Sequence, residues 1–72
     1  MRQIDIMLEF GQRVKVYRKA KGYSQEKLGA LTNLTQTYIS EVENGHRNIS
    51  LVNMYLIAKA LGIKVIDLVD FE

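Results

Sequence analysis

Apolar side chains recur every three or four residues along most of the chain, with polar residues between them. Phe10, Val14 and Tyr17 follow the spacing i, i+4, i+7, which places them on one face of an α-helix. We expect this first helix to begin within residues 4–9 and to end near Gly22, because glycine suits a left-handed cap. The basic residues of the segment then lie on the opposite face, so the helix is amphipathic.

A second, shorter helix is predicted after Ser24, whose hydroxyl suits the N-cap position. It runs from Gln25 to about Leu31, and Leu28 and Leu31 are its expected inward residues. Asn33 follows the helix and tolerates a positive φ angle, so this segment predicts a tight turn before the next helix.

Thr35 is the N-cap candidate of a third helix, which we expect over residues 36–43. Ile39 and Val42 are spaced i, i+3 and are expected to face the core. The helix ends before a polar loop at residues 45–49, which begins with a glycine. The second and third helices are therefore each about two turns long.

Ser50 is expected to cap a fourth helix, which Gly62 ends. Its expected inward residues are Leu51, Met54, Tyr55, Ala58 and Leu61. A last short helix is expected over residues 64–69, with Val65 and Leu68 inward, since a strand there would have no partner. The pattern predicts an all-α fold, one domain over residues 1–72 with five short helices around one core.

Composition limits how so short a chain is stabilised and which chemistry it can carry. A chain of 72 residues buries only roughly 60% of its unfolded surface, and this one has no cysteine for disulfides or thiolate metal sites. Its one histidine, His46, supports neither a His-rich metal site nor a Ser-His-Asp triad. Regular helix packing or oligomerisation remains to stabilise it. We expect no catalytic site, no metal, no cofactor and no small-molecule substrate.

The chain contains no apolar run near the roughly 20 residues that span a bilayer, and no signal-peptide pattern. We therefore expect no membrane partner. A reducing cytoplasm is the expected location.

The net charge of +2 is small, but the charges are unevenly distributed. Residues 12–27 hold six basic side chains and one acid, whereas residues 60–72 hold one base and three acids. A basic first third and an acidic end indicate a polyanion-binding face away from the C-terminus. A solvated helix face without a ligand would give the same distribution, so other features must decide.

The turn between the second and third helices is three or four residues long, which is too short to reverse the chain and makes the helices cross at a large angle. The first residues of the third helix include Gln36, Thr37, Tyr38 and Ser40. Polar side chains at the exposed N-terminal end of a helix suit a DNA major groove. The acids Glu41 and Glu43 lie toward the helix C-terminus, away from this expected contact.

A set of residues in register resembles a known family. The set comprises residues 10–14, Tyr17, Arg18, Ser24, Gln25, Leu28, residues 38–40, residues 43–45, Asn48, Ser50, Leu51 and residues 57–62. Together they resemble the Cro and lambda-repressor (XRE-like) type of helix-turn-helix domain, over about residues 10–68. The small size and the run from Thr37 to Ser40 are similar to restriction–modification controller proteins and small phage or plasmid repressors.

The resemblance implies a helix-turn-helix unit at about residues 24–44 and a set of DNA-binding residues. These are Gln25, Thr35, Gln36, Thr37, Tyr38, Ser40, Asn44, Arg47 and Asn48. Gln36 would pair with adenine and Thr37 would contact a thymine methyl group. Gln25 would reach a phosphate while bracing the third helix, and the loop around Arg47 would meet the DNA backbone. Arg18 and Glu43 match a structural ion pair between the first and third helices.

The chain departs from the family pattern at several positions. Ile49 replaces a proline in the loop before the fourth helix, and Asn33 replaces the turn glycine. Gly29 replaces an alanine, which permits close helix contact but weakens the helix by about 1 kcal/mol. Controller proteins often carry arginine where Gln36 stands, so the target sequence should differ.

The resemblance also bears on the fourth and fifth helices, where apolar residues stand at positions that are usually polar. Val52 and Leu56 lie opposite the expected core stripe, and Phe71 adds apolar surface nearby. The expected homodimer interface consists of Val52, Leu56, Ile66 and Val69. A two-fold dimer sets its recognition helices one DNA turn apart, about 34 Å, and so predicts a pseudo-palindromic site. Scattered exposed apolar residues without a partner are the simpler alternative.

These observations favour a sequence-specific transcription regulator, a repressor or controller, that binds double-stranded DNA as a homodimer. The alternative is an interaction module, such as an antitoxin, whose apolar face docks another protein and whose DNA binding is secondary. An enzyme is disfavoured because no acid–base constellation is visible.

Overall fold

The computed structural model describes residues 1–71, which form five α-helices and no strand. The helices are α1 (Gln3–Ala20), α2 (Gln25–Thr32), α3 (Gln36–Glu43), α4 (Leu51–Leu61) and α5 (Val65–Val69). The predicted all-α fold is thereby confirmed, and α5 occupies the segment for which a strand was the alternative.

Hydroxyl side chains begin three of the helices, as predicted. Ser24, Thr35 and Ser50 each accept a hydrogen bond from the backbone N–H three residues later, at 3.0–3.1 Å. Each bond satisfies one of the N–H groups that a helix leaves without an internal partner. Two helix starts differ slightly from the prediction: α1 begins at Gln3, just before the predicted interval, and α5 begins at Val65, one residue later than predicted.

One arrangement ends the first four helices. Gly22, Asn33, Gly45 and Gly62 all have φ between 59° and 75°. In each case the backbone N–H of this residue bonds the carbonyl three residues back, and the next N–H bonds the carbonyl five back. This pair of bonds is the Schellman motif, which satisfies the last carbonyl groups of a helix. Asn33 serves in place of glycine because asparagine tolerates the left-handed region.

One apolar core joins the five helices. It consists of Phe10, Val14, Leu28, Ile39, Val42, Ile57, Ala58, Leu61 and Leu68. The expected inward positions of α1, α3 and α5 are present in this core or packed against it. The two short helices are therefore held in place by packing: α3 packs against α1, α2 packs against α4, and α2 and α3 pack against each other.

The prediction for α2 was right at one inward position and wrong at the other. Leu28 is fully buried, but Leu31 is 47% exposed and Thr32 occupies the inward place instead. The Thr32 hydroxyl donates to the carbonyl of Leu28 at 2.8 Å, so burial leaves it satisfied. Apolar spacing alone could not show that a bonded threonine would face inward.

The inward face of α4 is also rotated from the prediction. Leu51 is 70% exposed and Tyr55 is 55% exposed, whereas Ile57 is fully buried beside Ala58 and Leu61. Two neighbouring stripes of α4 are apolar, so its periodicity fits either of them. Contacts from the other helices select the stripe that contains Ile57.

A glycine sets the separation between α1 and α3. Gly11 is buried, and a Cβ atom there would lie 2.8 Å from the Glu43 carbonyl oxygen and still closer to that of Val42. Both obstacles are backbone atoms, which cannot rotate away. The middle of α1 therefore contacts the C-terminal end of α3 directly, backbone to backbone.

We expect Gly11→Ala to destabilise the fold although alanine is the better helix former. The added methyl group must separate α1 from α3, at a cost of about 2 kcal/mol or more in the free energy of unfolding. Urea denaturation followed by circular dichroism measures this change. Gln12→Ala, one position along on the exposed face, should change stability by less than about 0.5 kcal/mol. Equal or greater stability of the Gly11 variant would contradict the close backbone contact.

Candidate nucleic-acid interface

The turn between α2 and α3 brings the two helices into close contact. Gly29 faces this turn, and a Cβ atom there would lie 3.1 Å from both the Gln36 nitrogen and the Thr35 carbonyl carbon. Asn33 supplies the left-handed residue that redirects the chain. The close helix contact expected at Gly29 is present, and it fixes where α3 begins relative to α2.

A buried ion pair orients the other end of α3. The Arg18 Nε lies 2.6 Å from Glu43 Oε2, and the Arg18 Nη2 donates to Glu43 Oε1 at 3.0 Å. Their side chains are 9% and 2% exposed. The hydrogen bonds that Arg18 donates to Glu43 raise the pKa of Arg18. Burial of the guanidinium lowers this pKa, and the charge attraction of Glu43 raises it further. Bidentate geometry of this kind is both strong and directional.

Two further bonds extend this pair to α2 and to the turn before it. The Gln25 amide Nε2 donates to Glu43 Oε1 at 3.1 Å, and Arg18 Nη1 donates to the Tyr23 carbonyl at 2.8 Å. The resemblance assigned Gln25 a bracing role, and the structure brings it to the carboxylate that α3 contributes. Side chains from three helices thus meet at Glu43.

The N-terminal end of α3 presents most of the residues expected to read bases. Gln36 and Thr37 are exposed, and Ser40 and Tyr38 are half-buried. Thr35 is exposed as well, but its hydroxyl oxygen accepts the cap hydrogen bond from the Tyr38 backbone. Gln36 and Thr37 therefore offer side chains that point away from the core.

Tyr38 lies in a cluster that the sequence did not indicate. The Asn53 amide on α4 donates to the Tyr38 hydroxyl at 3.1 Å. The Arg47 guanidinium carbon lies 5.0 Å from the centre of the Tyr38 ring, within the range of a cation–π contact. The Arg47 Nε also donates to Glu41 Oε1 at 3.0 Å. We call Tyr38, Glu41, Arg47 and Asn53 the Tyr38 cluster; it connects α3, the following loop and α4.

Neither Glu41 nor Asn53 was singled out from the sequence as part of the site. Glu41 had been placed away from the expected contact because it is an acid near the end of α3. No motif couples it to Arg47, since the pairing depends on how the loop turns. A possible signal was the opposite charge six residues apart across a glycine turn.

The loop after α3 is fixed at its start and exposed beyond it. Gly45 is buried, and a Cβ atom there would lie 2.6 Å from Leu8 Cδ2 on α1. Asn44, Arg47 and Asn48, the expected backbone-contacting residues, are all exposed. The structure thus brings these three residues to the surface, and Arg47 among them belongs to the Tyr38 cluster.

The basic segment is less uniform than its charge count indicates. Arg18 is buried in the ion pair, and Arg13 extends toward the acidic end instead of a common basic face. Arg13 lies 3.5 Å from Glu9 Oε1, 3.4 Å from the Asp67 carbonyl and 5.7 Å from the centre of the Phe71 ring. The exposed bases of the segment are Lys15, Lys19, Lys21 and Lys27. The segment therefore presents four lysines to solvent, while both of its arginines make contacts within the protein.

The residues expected at a dimer interface differ in exposure. Val52 is 68% exposed and Ile66 is 55% exposed, while Leu56 is half-buried. Val69 is also half-buried and packs against the core. Leu51 and Tyr55, once expected inside, join the exposed apolar residues of α4.

Within residues 1–71, no three His, Cys, Asp or Glu side chains are grouped closely enough to hold a metal ion. Every buried side-chain nitrogen or oxygen in that range has a hydrogen-bond partner. None of the described helices is both long enough and apolar enough to cross a membrane.

Comparison with known proteins matches the arrangement to one family. The family model described as helix-turn-helix, HTH_3, matches residues 14–68. The control protein C.BamHI of Bacillus amyloliquefaciens is 50% identical over 68 residues, which cover 93% of this chain and 84% of the relative. The control protein C.MunI of a Mycoplasma species is 46% identical over 65 residues, covering 89% and 88%.

A solved structure agrees with these relatives. The restriction-modification controller protein C.AhdI from Aeromonas hydrophila superposes with a TM-score of 0.84 at 47% identity, covering 86% of this chain and 94% of that one. The resemblance to controller proteins noted in the sequence is thereby confirmed. SinR, a master regulator for biofilm formation solved in complex with DNA, has a TM-score of 0.75 at 33% identity, covering 78% and 90%.

We expect Arg18→Met to cost about 3–5 kcal/mol, because it leaves the Glu43 carboxylate buried without its cation. The double variant Arg18→Met/Glu43→Leu should recover most of that loss, since two apolar side chains replace a pair that is costly to desolvate. Urea denaturation of both variants checks this. A single variant within about 1 kcal/mol of the unaltered protein would contradict the coupling.

Proposed function

The chain belongs to the HTH_3 helix-turn-helix family of DNA-binding transcription regulators, and we propose that it acts as a homodimer on a pseudo-palindromic operator. We further propose that residues 1–72 act as one domain, with residues 24–44 as the helix-turn-helix unit. The family is regulatory and not enzymatic. On this proposal the chain works where the chromosome is, in the cytoplasm and at the nucleoid.

The proposal rests on one observation: α3 is held firmly at its C-terminal end, while its polar N-terminal end is exposed. Glu43 is held by two other helices, while Gln36 and Thr37 at the opposite end of α3 are exposed. A side chain can distinguish base edges only if its backbone is held in place relative to the groove. We assign base reading to Gln36, Thr37, Tyr38 and Ser40.

The remaining assigned residues would contact the DNA backbone. The Gln25 amide has two N–H donors, of which one is donated to Glu43, so the other can reach a phosphate. The Thr35 oxygen accepts the cap hydrogen bond, which leaves its own O–H to donate. Asn44, Arg47 and Asn48 are exposed on the adjoining loop. Phosphate contacts of this kind set the register of the protein on the duplex.

Exposed apolar residues support the dimer. Val52 and Ile66 are the most exposed members of the proposed interface. Leu56 and Val69, one helical turn further along α4 and α5, are half-buried. Burying such residues against a second copy adds the apolar area that a 72-residue chain lacks. The same exposed residues would also fit the docking of a partner protein, as in an antitoxin. The oligomeric state of the isolated chain, dimer or monomer, distinguishes these two alternatives.

Selection of bound duplexes from a random pool should yield a pseudo-palindromic sequence. Its affinity should fall steeply with salt, because each phosphate contact contributes a slope of about −0.9 to log K against log salt. Gln36→Ala should then lower discrimination between the selected and scrambled duplexes by about 1–3 kcal/mol. Filter binding measures both quantities.

The outcome that contradicts base reading is an equal loss of affinity on both duplexes, which would assign Gln36 to the DNA backbone. Gln12→Ala removes the same exposed amide side chain from α1, outside the proposed interface, and serves as the matched control. A random pool that yields no preferred sequence would reject the proposal as a whole.

Val52→Glu should shift the isolated protein from dimer to monomer, because it places a charge in an apolar interface. Sedimentation velocity over a concentration series measures the change. Val52 is the cleaner position because it is exposed, whereas half-buried Leu56→Glu could also disturb folding. Leu31→Glu, on α2, is the matched control and should leave the dimer intact. A chain that is monomeric without any substitution favours the partner-protein alternative.

A further inference from the structure

An acid on α3 holds the arginine of the following loop. The Arg47 Nε and Nη2 both lie 3.0 Å from Glu41 Oε1. We propose that Glu41 is a specificity-determining residue, which positions Arg47 over Tyr38 and lowers affinity for DNA of the wrong sequence. This inference rests on the proposed function, since it concerns how the same surface discriminates between duplexes.

The chain fixes Glu41 and Arg47 relative to each other through the backbone as well. The His46 N–H donates to the Glu41 carbonyl at 2.8 Å, as part of the Schellman motif that Gly45 completes. Arg47 is the next residue, so its side chain starts within reach of the Glu41 carboxylate. One residue of α3 therefore holds the loop twice, once by its carbonyl and once by its side chain.

The contacts leave Arg47 only part of its hydrogen-bonding capacity. A guanidinium carries five N–H donors in a planar fork, and Glu41 engages the edge formed by Nε and Nη2. The flat face lies over the Tyr38 ring. The far edge of the guanidinium, with both Nη1 N–H groups and the second Nη2 N–H, remains for DNA in this arrangement, so the direction of that edge is set by Glu41 and Tyr38.

An ordinary exposed ion pair would have little consequence, and these side chains are 51% and 40% exposed. Two features distinguish this one. The guanidinium has a second partner in the Tyr38 ring, and the Tyr38 hydroxyl is itself held by Asn53 from α4. Contacts from α3, the loop and α4 therefore converge on a residue that the proposed function places among those that read bases.

The charge of Glu41 acts differently on the two kinds of complex. Nonspecific binding depends almost wholly on cations that replace salt ions at phosphates. The Arg47 guanidinium is already paired with the Glu41 carboxylate, so a phosphate must compete with Glu41 for the guanidinium. An operator complex instead gains from a guanidinium that is held in one direction, since specificity depends on geometry. Glu41 should thus weaken binding to scrambled DNA more than binding to the operator.

Glu41→Gln, which keeps the shape and removes the charge, tests the proposal. Binding is measured by fluorescence anisotropy on the selected duplex and on a scrambled duplex of equal length and composition. We expect a several-fold gain on the scrambled duplex at 50 mM salt, and a salt slope steeper by about 0.9, the value for one additional phosphate contact. Such a slope reduces the gain roughly 3.5-fold between 50 and 200 mM salt. The selected duplex should gain less, so the ratio of the two affinities falls.

Two comparisons separate positioning from net charge. Glu26→Gln removes the same charge from an exposed acid in the first turn of α2, and it should leave the affinity ratio unchanged. In an Arg47→Ala background, Glu41→Gln should change neither the ratio nor the slope, because Glu41 acts through Arg47. Thermal unfolding by circular dichroism verifies that every variant is folded at the temperature of the binding measurements.

The outcomes also distinguish this inference from the proposed function. If the unaltered protein does not prefer the selected duplex, the proposed function fails. If it does, an unchanged ratio and slope for Glu41→Gln would overturn the role of Glu41 alone. Equal gains on both duplexes, the same effect from Glu26→Gln, or an undiminished effect without Arg47 would also overturn it.

Discussion

The buried pair between Arg18 and Glu43 is the interaction on which the placement of α3 depends. A helix of two turns has little stability of its own, so its orientation must come from neighbouring elements. Arg18 of α1 and Gln25 of α2 both donate hydrogen bonds to Glu43, so one carboxylate of α3 connects three helices. Because desolvation offsets much of the attraction in such a pair, we interpret its main effect as directional. Only one geometry satisfies both guanidinium bonds and the amide bond together.

Apolar packing and backbone contact complete this placement. Ile39 and Val42 fill the core from α3, while Gly11 lets the backbone of α1 approach the same helix end. The opposite end of α3 is positioned by the close approach of its backbone to Gly29, and the side chains of Gln36 and Thr37 remain exposed. The division between a buried C-terminal end and a polar N-terminal end follows from where the chain puts its small, apolar and charged residues along eight positions.

Helix boundaries could be predicted from the sequence, whereas most contacts of the site could not. Caps are local: Ser24, Thr35 and Ser50 act on backbone groups three residues away, so short-range patterns suffice. Inward faces depend on distant helices, which is why the predictions for Leu31, Leu51 and Tyr55 were wrong. The Tyr38 cluster depends on the path of a loop and on a residue of α4. Such a meeting cannot be predicted from short-range patterns, so neither Glu41 nor Asn53 was assigned to the site from the sequence.

The two acids of α3 change how the charge of the interface is understood. From the sequence they were placed only toward the C-terminal end of this helix, away from the expected DNA contact. In the structure each acid is paired with a different arginine: Glu43 with buried Arg18, and Glu41 with Arg47 at the surface. On the proposed function, a phosphate must compete with Glu41 for Arg47, so the exposed lysines of α1 and α2 would supply most of the general attraction for DNA. On the same proposal, the modest net charge of +2 limits the attraction to phosphates, so more of the affinity for an operator would come from fitted contacts to bases.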